Sequence, residues 1–385
     1  MEKYLGYVEK ELKQLSAFWT AKEISQQPSC WLKTVKIIEN ASDEIQTFLT
    51  KMDVFSNLRI ILTGAGTSAF AGESIAPALV GKLKCRIDAI STTDLVANPQ
   101  EYFAENIPTL LVSFARSGNS PESLATVELA DKCLSTCFHL ILTCNAEGEL
   151  YQRCQNNKNA LALLMPKETN DQSFAMTSSF SCMLLAAVLV LSYKTPFLRE
   201  LKNISAVSKV LLEDMNFDIK EMASHEYKRV IYLGSGGFKG LARESALKLL
   251  ELTAGRVVAC YDSPLGFRHG PKSIVDTSTF IVVFISNDPY TRLYDLDLLA
   301  ELRRDAHASK VLAITAQKDE RVMDGEYIYV PNMQEANDVE LLFPYMLFAQ
   351  SYSFHRALAL KNSPDKPCPS GEVNRVVQGV TIHSL

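Results

Sequence analysis

The sequence has no C-x-x-C pair, no histidines at metal-ligand spacing, no long basic run and no apolar stretch of bilayer length. Each absence removes a class of function. Nine cysteines, an odd number, without close pairing read as free thiols in a reducing cytoplasm, not as a disulfide framework. Cys133 and Cys137 stand one helical turn apart, but no histidine cluster accompanies them. The histidines at 139, 225, 269, 307, 355 and 383 are scattered, so no metal and no cofactor are expected. His139, inside an apolar run, reads as a core histidine. A net charge of −5 argues against nucleic acid as the main partner. The longest apolar run, Cys182–Leu191, is about half of the roughly 20 residues a spanning helix needs, so it reads as a buried helix. The start, MEKYLGYVEKELKQL, carries acids and no apolar core, unlike a signal peptide.

What is present is a pattern that occurs twice. A length of 385 residues exceeds one ordinary domain. Residues 1–44 read as an N-terminal helical segment that packs on the first domain or on a partner subunit, and the helical reading continues to residue 52. Thr20 and Glu23 have the spacing of a capping box. LRIILTG (58–64) then reads as a strand, GAGTSAF (64–70) as a small-residue turn into a helix, TLLVSFA (109–115) as a strand, and FHLILTCN (138–145) as another. Residues 198–226 read as a linker helix. After it, RVIYLGSGGFKG (229–240), TFIVVFISND (279–288) and KVLAITAQ (310–317) repeat the three strands, each 171 residues on by alignment of the sequences. A constant offset predicts duplication of a whole α/β domain, with boundaries at 45–197 and 227–365 and a tail at 366–385. The tail turns apolar, which predicts that it docks rather than extending into solvent.

Three stretches carry candidate chemistry. The first is the turn with Thr67 and Ser68 together with ARSGNSPES (115–123). Hydroxyls, exposed backbone N–H groups and Arg116 at a strand's C-terminal end suit a phosphomonoester; a plain turn capping the next helix has the same residues. The second is Thr177–Ser179 at the start of an apolar helix, either caps or ligand hydroxyls. The third is ARESALKLLELTAGRVVACYDSPLGFRHGPK (242–272). Glu244, Lys248 and Glu251, at i, i+4 and i+7, share one helical face, with Leu247, Leu250 and Ala254 opposite. They form either an internal ion network or, with His269 in its Gly- and Pro-bounded loop, a set suited to proton transfer at a sugar carbon. The second-half loop Asn287–Arg304 has Tyr, Asp and Arg in place of serines, so no phosphate is expected there.

Taken together, GAGTS, SFARSGNS, ESALKLLE and RHGP, in this order over about residues 45–365, resemble the sugar-isomerase (SIS) domain family. The resemblance implies an α/β protein of two tandem SIS domains, each a parallel five-stranded sheet flanked by helices. Its nearest likeness is to the bacterial branch that acts on galactosamine 6-phosphate in amino-sugar catabolism. That implies an amino-sugar phosphate deaminase with aldose–ketose isomerase chemistry; the alternatives are isomerisation without deamination, or a non-catalytic sugar-phosphate sensor. It also implies roles: Glu251 as proton shuttle, Lys248 beside it, Glu244 one turn earlier, and His269 opening the ring from a neighbouring subunit of a homo-oligomer. Ser117, Gly118 and Ser120 fall in the phosphate loop with Arg116, Thr67 and Ser68 by the first turn, and Glu244, Thr177 and Ser178 near the sugar. Ala115 replaces the loop's first serine, and Gln378 stands where the related glucosamine-6-phosphate synthase has a tail lysine. The synthase's glutaminase domain has no counterpart in the sequence, which favours amino-sugar breakdown over synthesis.

Overall fold

The computed structural model describes residues 3–194, 198, 201–377 and 379–385, so Gln378 lies outside the described residues. A small antiparallel hairpin, β1 (Lys3–Tyr4) and β2 (Tyr7–Val8), comes first, where the sequence reading has helix. Leu5 and Gly6 both take positive φ, 47° and 83°, as a two-residue hairpin turn that follows strand twist requires. The helix Phe18–Asn40 follows. Thr20 and Glu23 lie inside it and form no capping box. Thr20 donates its hydroxyl to Asp365 at 2.7 Å, and Glu23 accepts from the backbone N–H of Gln172 at 2.5 Å.

The chain divides into two compact units. The first comprises the described residues of 29–171, 176–197 and 371–385. Its sheet has β3 (Arg59–Thr63), β4 (Arg86–Ala89), β5 (Thr109–Ala115), β6 (Cys137–Thr143) and β7 (Ala160–Leu164), all parallel, in the order β4-β3-β5-β6-β7. β5 and β6 are buried along their whole length, which explains their near-continuous apolar sequences. Ile61, Leu111, Leu129 and Leu134 form the core on one face. The helix Ser178–Leu191 is buried on nearly every side, as its lack of a polar face demands.

The second unit comprises the described residues of 1–28, 172–175 and 198–370. Its strands are β8 (Arg229–Gly234), β9 (Val258–Asp262), β10 (Thr279–Phe284), β11 (Lys310–Thr315) and β12 (Tyr327–Tyr329), parallel, in the order β9-β8-β10-β11-β12. The expected N-terminal segment 1–44 is thus divided: its described residues up to 28 group with the second sheet, where Asp365 and Gln350 hold Thr20 and Gln27, and residues 29–44 with the first. The linker is two helices, Leu201–Asp214 and Asn216–Ser224, not one.

Both sheets share one topology, yet no single offset relates them. Gly66 and Gly236, 170 residues apart, adopt the same backbone, φ 55° in each. Arg59 pairs with Thr109 and Arg229 with Thr279, again 170 apart, but β6 and β11 are 172 apart by register: Leu110 faces Phe138 and Phe280 faces Lys310. The uniform value of 171 was one residue off on each strand; a slip of one residue reverses every side chain across a sheet, so only register fixes it.

In this strand order the direction of winding reverses between the first and third strands of each sheet. Ligands of open α/β sheets gather beyond the strand C-termini at that point. In the first unit it lies between the turn after β3 and the loop after β5.

Candidate active site

The turn after β3 can only be built from glycine. A Cβ on Gly64 would lie 2.7 Å from the Ser68 carbonyl carbon, and Gly66 sits at φ 55°. The chain can then enter the helix Thr67–Leu83 directly, with Thr67 and Ser68 buried in its first turn. The Thr67 hydroxyl makes no hydrogen bond among the described residues. Ser68 lies against the Met176 sulfur at 3.8 Å.

The loop after β5 is held by its neighbours through its carbonyls. Asn145 Nδ2 donates to the Ser117 carbonyl at 2.9 Å, and the Leu150 N–H to that of Gly118 at 3.0 Å. Gly118 takes φ 66° and packs on Gly148. Ser120 leads into the helix Pro121–Cys133, whose N-terminal N–H groups favour an anion. Ser117 and Ser120 are half-buried. Arg116 is buried, and its Nη2 donates to the Arg375 carbonyl at 2.6 Å. Part of its donor set is thus used on the tail. A φ-positive glycine, two half-buried hydroxyls and a helix N-terminus lie together here, groups of the kind that suit an anion.

Before the Ser178–Leu191 helix, Ser178 and Ser179 both donate their hydroxyls to the Asp171 carboxylate. Asp171, not a serine, accepts the Thr177 and Ser179 N–H groups at the helix start. The Thr177 hydroxyl is buried and makes no hydrogen bond among the described residues.

In the second unit, Glu244 and Lys248 lie on the helix Gly237–Leu252. Lys248 is fully buried; its ammonium donates to Glu251 and lies 3.5 Å from the Glu244 carboxylate. The Glu251 side chain retains 23% exposure against 2% for Glu244, so only Glu251 reaches the surface. The two faces of the helix differ in burial. Leu247 and Leu250 are half-exposed and Ala254 exposed, while the charged face packs inward. Polar groups take the interior here because they satisfy one another.

His269 follows β9 in a loop that begins with a short helix, Pro264–Phe267, capped by Ser263 at the Gly266 N–H, 3.1 Å. Arg268 and Lys272, on either side of His269, both pair with Glu301, and Lys272 with Asp305 at 2.5 Å. The loop is therefore pinned while His269 itself is exposed. β9 is an edge strand, and Val258, Tyr261 and Leu265 beside the loop are exposed apolar side chains.

The second unit's own switch point differs in chemistry. Asp295, fully buried, accepts from the Ser235 hydroxyl at 2.5 Å and the Ser286 N–H at 2.9 Å. Asp338 accepts from the Ser286 hydroxyl at 2.5 Å and the Asn287 N–H at 2.8 Å. Burial pushes the Asp295 carboxyl up to about 6 and raises Asp338 as well. The donors at this switch point thus meet the chain's own carboxylates. Sequence reading missed Asp171, Asp295, Asp338 and Arg375; their partners lie 6 to 259 residues away, outside any local motif.

With this geometry in view, the SIS domain model matches residues 55–193 and 225–361, one copy on each sheet. The chain belongs to the SIS domain family. It is 49% identical to the D-galactosamine-6-phosphate deaminase AgaS of Escherichia coli over 95% of each chain. It is 46% identical to the same-named protein of Shewanella sp. (strain ANA-3), covering 97% of this chain and 94% of that one. The crystal structure of tagatose-6-phosphate ketose/aldose isomerase from Escherichia coli superposes with a TM-score of 0.89 at 46% identity, over 95% of this chain and 96% of that one. No helix among the described residues is long and apolar enough to cross a membrane. The apolar tail of this SIS protein is fastened by polar contacts more than by apolar burial. Arg375 donates to the Asp171 carbonyl, while Val373, Val377 and Leu385 stay more than half exposed.

Proposed function

We propose that this SIS protein converts D-galactosamine 6-phosphate and water to D-tagatose 6-phosphate and ammonia. The observation that carries the reading is the 49% identity to the AgaS deaminase along 95% of the chain. The site chemistry supports it. The first-unit cradle takes the phosphate on Ser117, Gly118, Ser120 and the Thr67/Ser68 turn, with Arg116 adding charge. His269 moves a proton between O1 and O5 to open the ring. Glu251, as carboxylate, takes the proton from C2 of the open-chain aldehyde. The electron pair of that C–H bond forms the C1–C2 double bond, and O1 gains a proton, giving an enolamine. Glu251 returns its proton to C1, which leaves an iminium at C2. Water adds there and ammonia departs, giving the ketose.

Lys248 sets a positive charge against the buried Glu244 and beside Glu251, and stabilises negative charge developing on oxygen. Glu244 supports Lys248, and Thr177 and Ser178 border the sugar. A binding-only sensor would not need such a set, since two buried charges cost stability that recognition does not return. The experiment that tests the shuttle is turnover of substrate deuterated at C2. Transfer of part of the label to C1 of the ketose supports a single carboxylate acting on both carbons. Ammonia release with no label at C1 of the ketose contradicts it. A second reading, tagatose 6-phosphate isomerisation without ammonia loss, is favoured by the isomerase named in the superposed structure. The same Glu251 step serves it.

We also propose a homo-oligomer in the cytoplasm. The uncovered edge strand β9, the exposed Val258, Tyr261 and Leu265, and the exposed His269 in its pinned loop together suit a second copy that receives His269. Nine free thiols fit a reducing compartment.

A further inference from the structure

Asp171 is fully buried, and its carboxylate accepts four hydrogen bonds from one short segment. One oxygen takes the Thr177 N–H at 2.8 Å, the Ser179 N–H at 2.9 Å and the Ser179 hydroxyl at 2.6 Å; the other takes the Ser178 hydroxyl. These bonds fix Thr177 at φ −136°, ψ −76°, outside helical and strand geometry, one residue before the helix Ser178–Leu191. Of the three neighbouring hydroxyls, Ser178 and Ser179 are bound to Asp171. Thr177 Oγ1 is fully buried and makes no hydrogen bond among the described residues. A buried hydroxyl of this kind is costly unless a ligand meets it. The Asp171 main chain is tied as well: the Arg375 guanidinium donates to its carbonyl, and the Arg375 carbonyl accepts from Arg116 of the phosphate loop. One acid thus joins the helix start, the tail and the phosphate loop.

We propose that Asp171 is a positioning residue that presents the Thr177 hydroxyl to a polar group of the sugar, with the Ser178 hydroxyl as part of its clamp. This rests on the functional reading above. The step is binding alone, so the effect falls on KM and less on kcat. Asp171→Asn retains one carbonyl oxygen for the two N–H donors, and the Ser178 hydroxyl can reverse to accept from the new amide. It is therefore the mild variant. Asp171→Ala loses all four acceptors. Thr177→Val keeps the shape and removes the hydroxyl.

The experiment measures kcat, KM and melting temperature for these three variants. It also measures calorimetric affinity for whichever of galactosamine 6-phosphate, glucosamine 6-phosphate and tagatose 6-phosphate the wild type binds. The expected result is KM raised about tenfold or more in Asp171→Ala and Thr177→Val, with Asp171→Asn between them and wild type. Thr177→Val should melt within a few degrees of wild type, which a merely packing role for the segment would not combine with a raised KM. If Asp171→Ala does not fold, Thr177→Val and Asp171→Asn decide the matter. Wild-type KM and affinity in Thr177→Val, or in a folded Asp171→Ala, overturn the proposal. A wild type that binds sugar phosphate but releases no ammonia would refute the deaminase reading and leave the affinity comparison intact.

Discussion

Replacing Lys248 with methionine should destabilise the second unit by about 3–5 kcal/mol at pH 7, the range for removing one partner from a buried ion pair. Methionine matches the length of the lysine stem, so no large cavity forms. What remains is Glu244, 1% exposed, with its cation gone from 3.5 Å. At an effective dielectric of about 20, that separation corresponds to roughly 5 kcal/mol of lost attraction, consistent with the range above. Glu251 loses its bond too, but it is part-exposed and water can replace the ammonium. The loss should therefore depend on pH. A buried carboxylate without a cation escapes its cost by taking a proton, so the variant's deficit should shrink as pH falls toward 5. Adding Glu244→Gln should recover part of the stability, because the buried negative charge is gone. Urea unfolding of wild type, the single variant and the double variant at pH 5 and pH 8 measures all three. A single variant as stable as wild type at pH 8, or a deficit that does not change with pH, would refute the claim that Lys248 offsets the charge of buried Glu244.

Other expectations follow from the same geometry. Glu251→Gln should lower turnover by about 10²–10⁴-fold while sparing sugar-phosphate binding, read by steady-state kinetics beside calorimetry. Ser117→Ala and Arg116→Ala should raise KM mainly, and normal KM in both would move the anion site elsewhere. Asp295, held at about 6 against an ordinary 3.8, keeps its proton longer folded than unfolded. Its contribution is thus favourable at low pH and declines by about 2 kcal/mol as pH rises from 4 to 6, so Asp295→Asn should flatten the stability profile in that window. Mixing inactive Glu251→Gln and His269→Ala proteins should restore up to about a quarter of wild-type activity if His269 serves the partner of a dimer. No recovery despite proven subunit exchange would place His269 in its own subunit's site.

The repeat was legible because fully buried parallel strands leave continuous apolar runs, and Gly64 and Gly234 mark the turns where a Cβ cannot fit. The charged face of the helix was legible from spacing; which face points inward was not stated by spacing, and contact among Glu244, Lys248 and Glu251 explains why the charges lie inside. Asp171 could not be read, since its role depends on the chain folding back over five intervening residues to Thr177. The hairpin at Lys3–Val8 was missed for a different reason: Leu5 takes a positive φ that leucine seldom adopts, so no turn residue announces it. Arg375 and Arg116 meet across more than 250 residues of chain, a distance over which spacing carries no information.

The most direct test of the central claim is to supply galactosamine 6-phosphate, glucosamine 6-phosphate and tagatose 6-phosphate separately and measure ammonia and ketose in the same reaction. Galactosamine 6-phosphate should give the highest kcat/KM, with one ammonia released per tagatose 6-phosphate formed. Tagatose 6-phosphate as the best substrate, or ketose formed without ammonia, would contradict deamination and leave a plain isomerase.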